Sequence, residues 1–171
     1  GFEALNRNTT GEENVAHGLV ALRDKTTGYS NVAIGAQSLA TNITGFENTA
    51  LGAGALTNLK SGSNNIGIGS NTGIDLTSGS NNIYIGAVLA GPSPTVSNQL
   101  NIGGWIYGDN GKIGIGVPLP TEKLEVNGKI KAVDVNFSGL PTAADEAAAI
   151  TLGLTTGDMY NIVIGELRIK L

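Results

Sequence analysis

The sequence has no cysteine and only one histidine among its 171 residues. The absence of cysteine excludes disulfides and thiolate metal sites. Charged residues are also scarce, at 14% against the roughly 25% of an ordinary soluble domain. The ten basic residues are scattered and the net charge is −4, so no basic stripe could follow a phosphate backbone. We therefore expect no nucleic-acid partner.

Aromatic residues and long apolar runs are scarce as well. No apolar run approaches the roughly 20 residues that cross a bilayer, so we expect no membrane insertion. Aromatics make up 5% of the chain, whereas glycine alone supplies 26 residues. A chain with so few bulky side chains cannot fill one broad core. We expect it to bury small apolar residues by stacking thin layers or by associating with copies of itself, as in a fibre.

An internal repeat of 17 residues fills the first half of the sequence. Glycine opens the units at Gly11, Gly28, Gly45, Gly62 and Gly79. Asparagine follows at Asn14, Asn31, Asn48, Asn65 and Asn82, and a second glycine at Gly18, Gly35, Gly52, Gly69 and Gly86. A leucine column at Leu5, Leu22, Leu39 and Leu56 lapses at Gly73 and Ala90. Because the leucine column begins at Leu5, we expect the repeat to continue upstream in a longer protein.

Each repeat contains a three-residue strand core between its asparagine and its second glycine. The cores are 15–17, 32–34, 49–51, 66–68 and 83–85. Their outer positions are mostly large or β-branched, and the central position is mostly Ala or Gly. Because side chains alternate between the two faces of a strand, bulky and small residues lie on opposite faces. We predict that the bulky face fills the coil and that the small face permits close approach.

A short strand bounded by glycines every 17 residues predicts a parallel β-solenoid, with glycine providing positive φ at the corners. Burial of about three apolar side chains per coil yields only a few kcal/mol, against about 1–2 kcal/mol of backbone entropy per ordered residue. An isolated chain is therefore expected to be marginally stable. We expect copies to associate, with the small-residue face or the leucine column at the shared axis.

The repeat resembles a known family of fibrous proteins. The segment GFENTALGAGAL at 45–56 is similar to the head repeats of trimeric autotransporter adhesins and to related repeats of phage tail fibres. The resemblance covers about residues 4–90 and implies a homotrimer of parallel β-rolls. It also implies an extracellular location, on a virion tail fibre or on a bacterial surface. The period is somewhat longer here than in the adhesin heads.

The second half divides into a connecting region, 91–138, and a C-terminal tip, 139–171. The repeat register is expected to break at the Pro-rich segment 91–94. A hairpin follows, with strands at 105–107 and 112–116, and a second hairpin is expected around Asn127-Gly128. The sequence of 113–132 resembles a tail-fibre segment that lies before the distal end.

The tip is expected to contain a small helix and a β-hairpin. Thr142 is a suitable N-cap, and Ala143–Leu152 are mostly strong helix formers before Gly153. The hairpin pairs 158–162 with 166–171. The sequence of 139–171 also resembles C-terminal ends of phage structural proteins.

Catalytic and metal sites find little support in the sequence. No nucleophile elbow and no phosphate-binding loop is present, so we expect no enzyme activity and no cofactor. His17 could hold a metal only if its column faced a threefold axis. The repeated asparagines are interpreted as a ladder that caps backbone groups at successive corners.

Exposed aromatic residues are the better candidates for contact with a partner, because ring faces stack on sugars or fill partner pockets. These candidates are Trp105, Tyr107, Tyr160, Tyr29 and Phe46. The alternative for each is packing against a neighbouring chain. We interpret the protein as a tail-fibre segment that binds a host-surface glycan or protein receptor. A bacterial adhesin head and an inert shaft with recognition elsewhere are the alternatives.

Overall fold

The computed structural model describes residues 1–24, 27–131, 142–143, 159–162 and 167–169. The chain divides into two compact units, Gly1–Lys129 and Ile130–Leu171. The strands of the first unit are β1 Val15–His17, β2 Val32–Ile34, β3 Thr49–Leu51, β4 Ile66–Ile68, β5 Ile83–Ile85, β6 Gln99–Ile102, β7 Ile106–Asp109, β8 Lys112–Ile115 and β9 Leu124–Val126. Those of the second are β10 Thr142–Ala143, β11 Met159–Ile162 and β12 Leu167–Ile169.

The first unit is built on one nine-stranded sheet whose order follows the chain from β1 to β9. Strands β1 to β6 pair in parallel, and each pairing aligns residues 17 apart, as Val32 aligns with Thr49. One coil of chain separates each strand from the next. The β-solenoid and its five strand cores are thereby confirmed.

The predicted orientation of the strand cores is wrong. The small central residues, such as Ala33 and Ala50, point inward and are fully buried, whereas bulky outer residues such as Ile34 and Leu51 are exposed. Leu22, Leu39 and Leu56 of the leucine column are also fully buried inside the coils, so neither these leucines nor the small face lies on an outer surface. The reason is the thickness of the coil, because a leucine from the opposite wall leaves room only for a small side chain on the strand.

Tyr84 compensates for the lapse in the leucine column. It takes the position held by alanine or glycine in the preceding coils, and it is fully buried. Its ring lies beside Gly73, where a Cβ atom would come within 3.1 Å of the ring. The volume lost where Gly73 replaces leucine is therefore refilled from the opposite wall, which keeps the interior packed.

The expected use of positive φ at the repeat glycines is correct for one glycine column only. The second column, from Gly18 to Gly86, has φ between 129° and 144°. Glycines of the first column, such as Gly45, are not among the positive-φ residues. A Cβ atom at Gly45 would collide with the carbonyl oxygen of Gly62 in the next coil. That column is glycine because adjacent coils approach closely there.

The register continues through the Pro-rich segment, contrary to the expected break. β6 aligns with β5 at the same 17-residue spacing, so that Ile83 lies opposite Leu100. Prolines at 92 and 94 lie in the connection between these strands. Hydrogen bonds across the coil are retained there, since Thr77 N donates to Pro94 O at 2.7 Å.

The hairpin of β7 and β8 is confirmed, with a tighter turn than expected. Asn110 and Gly111 form the two-residue turn with φ of 47° and 81°, which fits a type I′ turn. The second hairpin is not formed, because residues 127–131 contain no strand. Instead β9 joins β8 in parallel as the last strand of the large sheet.

The second unit contains a three-stranded sheet in the order β10, β11, β12. The antiparallel pairing of β11 with β12 confirms the terminal hairpin. The helix expected from Ala143 to Leu152 cannot include Ala143, because Thr142 and Ala143 form β10 and pair with β11. The rest of that expected helix lies outside the described residues.

Candidate functional site

The outer face of the large sheet carries two apolar columns, which we call the outer ladder. Its members are Val15, His17, Val32, Ile34, Thr49, Leu51, Ile66, Ile68, Ile83, Ile85, Leu100, Ile102, Ile106, Gly108, Ile113, Ile115, Leu124 and Val126. None of these 18 positions is Lys, Arg, Asp or Glu. Successive strands lie about 4.8 Å apart, so nine strands make a strip about 38 Å long.

Apart from the buried Gly108, the residues of the outer ladder are exposed or half-buried. Eleven of its Ile, Leu and Val residues are at least 36% exposed, from Val15 in β1 to Leu124 in β9. Three residues at about 3.3 Å each give the strip a width of about 10 Å, so it covers on the order of 400 Å². That is the size of the largest apolar patch on a typical monomer, about 300–600 Å², and such a patch is often functional. Such a strip indicates a contact surface.

The repeated asparagines form a continuous hydrogen-bonded ladder inside one corner of the solenoid. Asn48 Nδ2 donates to Asn31 Oδ1 at 3.0 Å and to Gly62 O at 2.8 Å. Asn48 Oδ1 in turn accepts from Asn65 N and Asn65 Nδ2, both at 3.0 Å. Asn31, Asn48, Asn65 and Asn82 are fully buried. This ladder therefore satisfies backbone groups and has no surface to offer a ligand.

The aromatic candidates lie at separate places. Tyr29 and Phe46 stack at one corner of adjacent coils, with ring centroids 5.0 Å apart and ring planes 4° apart. Trp105 is 77% exposed beside the turn that leads into β7. Tyr107 is half-buried in β7, and its hydroxyl donates to Gly104 O at 2.6 Å. Tyr160 lies in β11 of the second unit, opposite Arg168.

His17 occupies the first strand of the outer ladder and is exposed. The described residues contain no group of three or more His, Cys, Asp or Glu side chains arranged to hold a metal. They also contain no helix with the length and apolar character needed to span a bilayer.

A cavity of about 160 Å³ lies where the last coil meets the β6–β7 hairpin. Tyr84, Asn101 and Tyr107 occupy successive positions across β5, β6 and β7, and all three line the cavity. Pro92 and Pro118 also line it. Among the lining residues, Ala90 stands in the column that holds Leu22, Leu39 and Leu56 in earlier coils.

The Tyr84 hydroxyl is buried without a hydrogen-bond partner. Its oxygen lies beside Gly91, where a Cβ atom would come within 2.5 Å of it. Burial, together with the negative charge of Asp75, raises the pKa of Tyr84 to about 12. The Asp75 carboxylate accepts a hydrogen bond from Gly91 N at 3.1 Å.

Sequence reasoning missed both the outer ladder and the cavity. The alternation of large and small residues in each strand core was visible, but it does not say which face is inside. A signal for the cavity was also present, since Tyr84 interrupts the small-residue column just where the leucine column has lapsed. No protein-family model, no curated protein and no solved structure matches the chain.

Proposed function

We propose that this chain is a non-catalytic segment of a homotrimeric phage tail fibre that attaches to a receptor on the host surface. The outer ladder carries the proposal. Three copies that pack their ladders around a common axis would cover on the order of 400 Å² of apolar surface per chain, about half of the roughly 800 Å² per partner of a standard interface. The likeness of the repeat to tail-fibre and adhesin repeats supports the number three.

The shape of the outer ladder suits self-association. Its two columns keep one register from strand to strand through the parallel pairings, and the same columns on neighbouring copies could pack side by side. No carboxylate or ammonium would be buried, so burial carries no charge-desolvation cost. The apolar area buried between copies would add the hydrophobic stabilisation that the thin coil interiors cannot provide.

Attachment is assigned to the distal aromatic residues and the surfaces near them. Trp105 is the most exposed large hydrophobic residue of the described chain, and an exposed ring of this kind is typical of a contact residue. Three copies of each weak contact would bind a dense surface with high avidity. The proposed location is therefore the virion tail fibre, outside the cell.

Light scattering tests the assembly. The unmodified chain should have a mass near three times 17.4 kDa that resists dilution. The double substitution Ile68→Lys with Ile85→Lys places six positive charges at the proposed axis and should give monomers. The matched control Ala53→Lys with Val88→Lys adds the same charge at exposed positions off the ladder and should remain trimeric. A monomeric unmodified chain, or a trimeric ladder variant, would contradict this assembly.

A glycan array and a panel of intact bacterial cells test attachment. We expect the labelled trimer to bind a subset of surfaces and Trp105→Ala to weaken that binding. A trimer that binds no surface at all would contradict the attachment role and favour an inert shaft.

A further inference from the structure

Tyr29 and Phe46 form a stacked pair of rings on the surface of the solenoid, here called the aromatic corner. Their centroids are 5.0 Å apart and their planes 4° apart, a separation close to the spacing of about 4.8 Å between neighbouring strands. The rings therefore lie one above the other along the stacking direction of the coils. The backbone holds this register, since Ser30 N donates to Glu12 O at 3.0 Å and Glu47 N donates to Tyr29 O at 3.1 Å.

The Tyr29 end of this ring pair is the open one. Tyr29 is 44% exposed, whereas Phe46 is half-buried. On the far side of Phe46 the equivalent position is held by Ser63, which is buried and whose hydroxyl accepts a hydrogen bond from Phe46 N at 3.2 Å. Because Phe46 covers one face of the Tyr29 ring, the exposed area of Tyr29 lies at its edges and on the face toward the preceding coil.

Carboxylates occupy the level of that preceding coil. Glu12 holds the position equivalent to Tyr29, 17 residues earlier, and is exposed. Glu13 is also exposed, and its carboxylate accepts a hydrogen bond from Ser30 Oγ at 2.8 Å. Glu47, the equivalent of Ser30 one coil later, adds another exposed carboxylate. The face of an aromatic ring is itself negative, so ring and carboxylates together complement a cation.

We infer that the aromatic corner binds an arginine side chain of a host-surface protein, with Tyr29 as the stacking surface and Glu12 as the paired carboxylate. A guanidinium group is planar and always charged, it stacks on aromatic faces, and its N–H groups match a carboxylate. At the level of Glu12 it would continue the stack of rings and lie within about 6 Å of the Tyr29 centroid, the range of cation–π attraction. The biological role rests on the proposed attachment function, whereas the binding itself does not require a trimer.

The shape of the aromatic corner favours guanidinium over other cations. A lysine ammonium is a compact, strongly hydrated charge, which does not fill a flat layer beside a ring. A quaternary ammonium group has no N–H to donate to Glu12, and it is typically held in a cage of aromatic side chains. A guanidinium group can stack on Tyr29 and donate two parallel hydrogen bonds to one carboxylate.

Aromatic NMR of the full chain, with isotope-labelled Tyr and Phe side chains, tests the site. The probe is the tripeptide acetyl-Gly-Arg-Gly-amide, and the matched control is the same peptide with neutral citrulline in place of arginine. The arginine peptide should shift the Tyr29 and Phe46 ring signals to saturation, and its affinity should fall as the salt concentration rises. The citrulline peptide and tetramethylammonium should shift these signals little. Equal affinity for either of them would overturn the assignment to guanidinium.

Three variants locate the contact, with the Phe46 ring as the common readout. Tyr29→Leu removes the ring and keeps an apolar side chain, so affinity for the arginine peptide should fall about two- to fivefold. Glu12→Gln removes the paired charge and should weaken binding by about twofold or more. Tyr29→Phe keeps the ring face and should retain the affinity of the parent chain.

Trp105→Ala and Glu122→Gln are the matched controls, because they alter an exposed ring and an exposed carboxylate outside the aromatic corner. Both should bind the arginine peptide as the parent chain does. Parent-like affinity in the double variant Tyr29→Leu with Glu12→Gln would overturn the site, and so would an equal loss in the two controls.

The same variants separate this site from the proposed assembly. A parent chain that is monomeric but binds the arginine peptide through Tyr29 would retain the aromatic corner and eliminate the trimeric fibre. A trimer whose attachment to cells is unchanged by Tyr29→Leu with Glu12→Gln would retain the fibre proposal and eliminate the aromatic corner as an attachment site.

Discussion

At the scale of single residues, the asparagine column shows how one side chain can hold two coils together. The Asn48 amide, for example, donates to the carbonyl of Gly62 in the next coil and to Asn31 of the preceding coil, while its oxygen accepts from Asn65. Both ends of each buried amide are thereby satisfied. Removal of one member leaves unpaired groups on both neighbouring coils, so its effect exceeds that of one hydrogen bond.

Asn48→Ala should therefore lower the free energy of unfolding by about 2–4 kcal/mol. The measurement is urea unfolding followed by circular dichroism at fixed chain concentration. Asn58→Ala is the control, because Asn58 is exposed and donates only to Ile74 O, and it should change stability by less than about 0.5 kcal/mol. Equal effects of the two substitutions would contradict a structural role for the buried ladder.

The buried Tyr84 predicts a loss of stability at alkaline pH. Its pKa is raised to about 12 in the folded chain, against about 10 when unfolded. The folded state then holds the proton more tightly, so this contribution is complete below pH 10 and is lost as the pH rises toward 12. Thermal unfolding between pH 9 and about 12 should show the decline.

The Tyr84→Phe variant is the control for this titration. It retains the ring and removes the unpartnered hydroxyl, so its stability at neutral pH should equal or exceed that of the parent chain. Its stability should fall less steeply above pH 10. Identical alkaline profiles for the two proteins would show that Tyr84 titrates normally.

At the scale of the single coil, the interior is one side chain deep from each wall. Leucine from one wall meets alanine or glycine from the strand, and a Cβ atom added at Gly67 would lie 2.7 Å from Leu56 Cγ. The space between the two walls limits the sum of the two side-chain volumes. At Tyr84 the large side chain is on the strand, and the small residue, Gly73, is on the opposite wall. The bulky residues at the other strand positions are consequently directed outward.

Leu56→Ala should lower the free energy of unfolding by about 3–5 kcal/mol, because it leaves a cavity in a fully buried site that the coil backbone cannot close. Chemical denaturation measures the change. Leu119→Ala is the comparison at an exposed position and should have little effect. A small loss at Leu56 would indicate that neighbouring coils can collapse into the space.

At the scale of the whole molecule, the solenoid behaves as a one-dimensional stack. Each coil contacts only its neighbours, and the backbone pairs in steps of 17 residues. In such an array, stability is approximately a sum of coil and neighbour contributions. The number of coils can then vary, whereas the length of each coil cannot.

Deletion of residues 45–61, one complete coil, should give a folded protein. Asn65 then follows Asn31 in the asparagine ladder, and Leu39 takes the position of Leu56. Deletion of 45–60 removes one residue fewer and should prevent folding, because every later side chain shifts to the opposite face. Circular dichroism and cooperative thermal unfolding distinguish the two. Equal folding of both deletions would refute a fixed 17-residue coil.

The period, the strand cores and the class of fold can be read from the residues alone. Glycine and asparagine recur at fixed spacing because corners and close coil contacts tolerate few other residues, and such local requirements can be recognised in the sequence. The β7–β8 hairpin can be predicted for the same reason, since Asn110-Gly111 favours one turn type. The asparagine ladder was also predicted from its spacing.

Which face of each strand lies inside depends on long-range contacts in the folded chain. Alternation of Ile with Ala is the same whichever face points inward, and the choice depends on the leucine that approaches from the opposite wall. The pairing of β9, Leu124–Val126, also depends on long-range contacts. This strand pairs with β8 and does not form the hairpin that the neighbouring Asn127-Gly128 sequence predicts. The outer ladder and the Tyr84 cavity follow from these long-range contacts, and for that reason they emerge only from the folded chain.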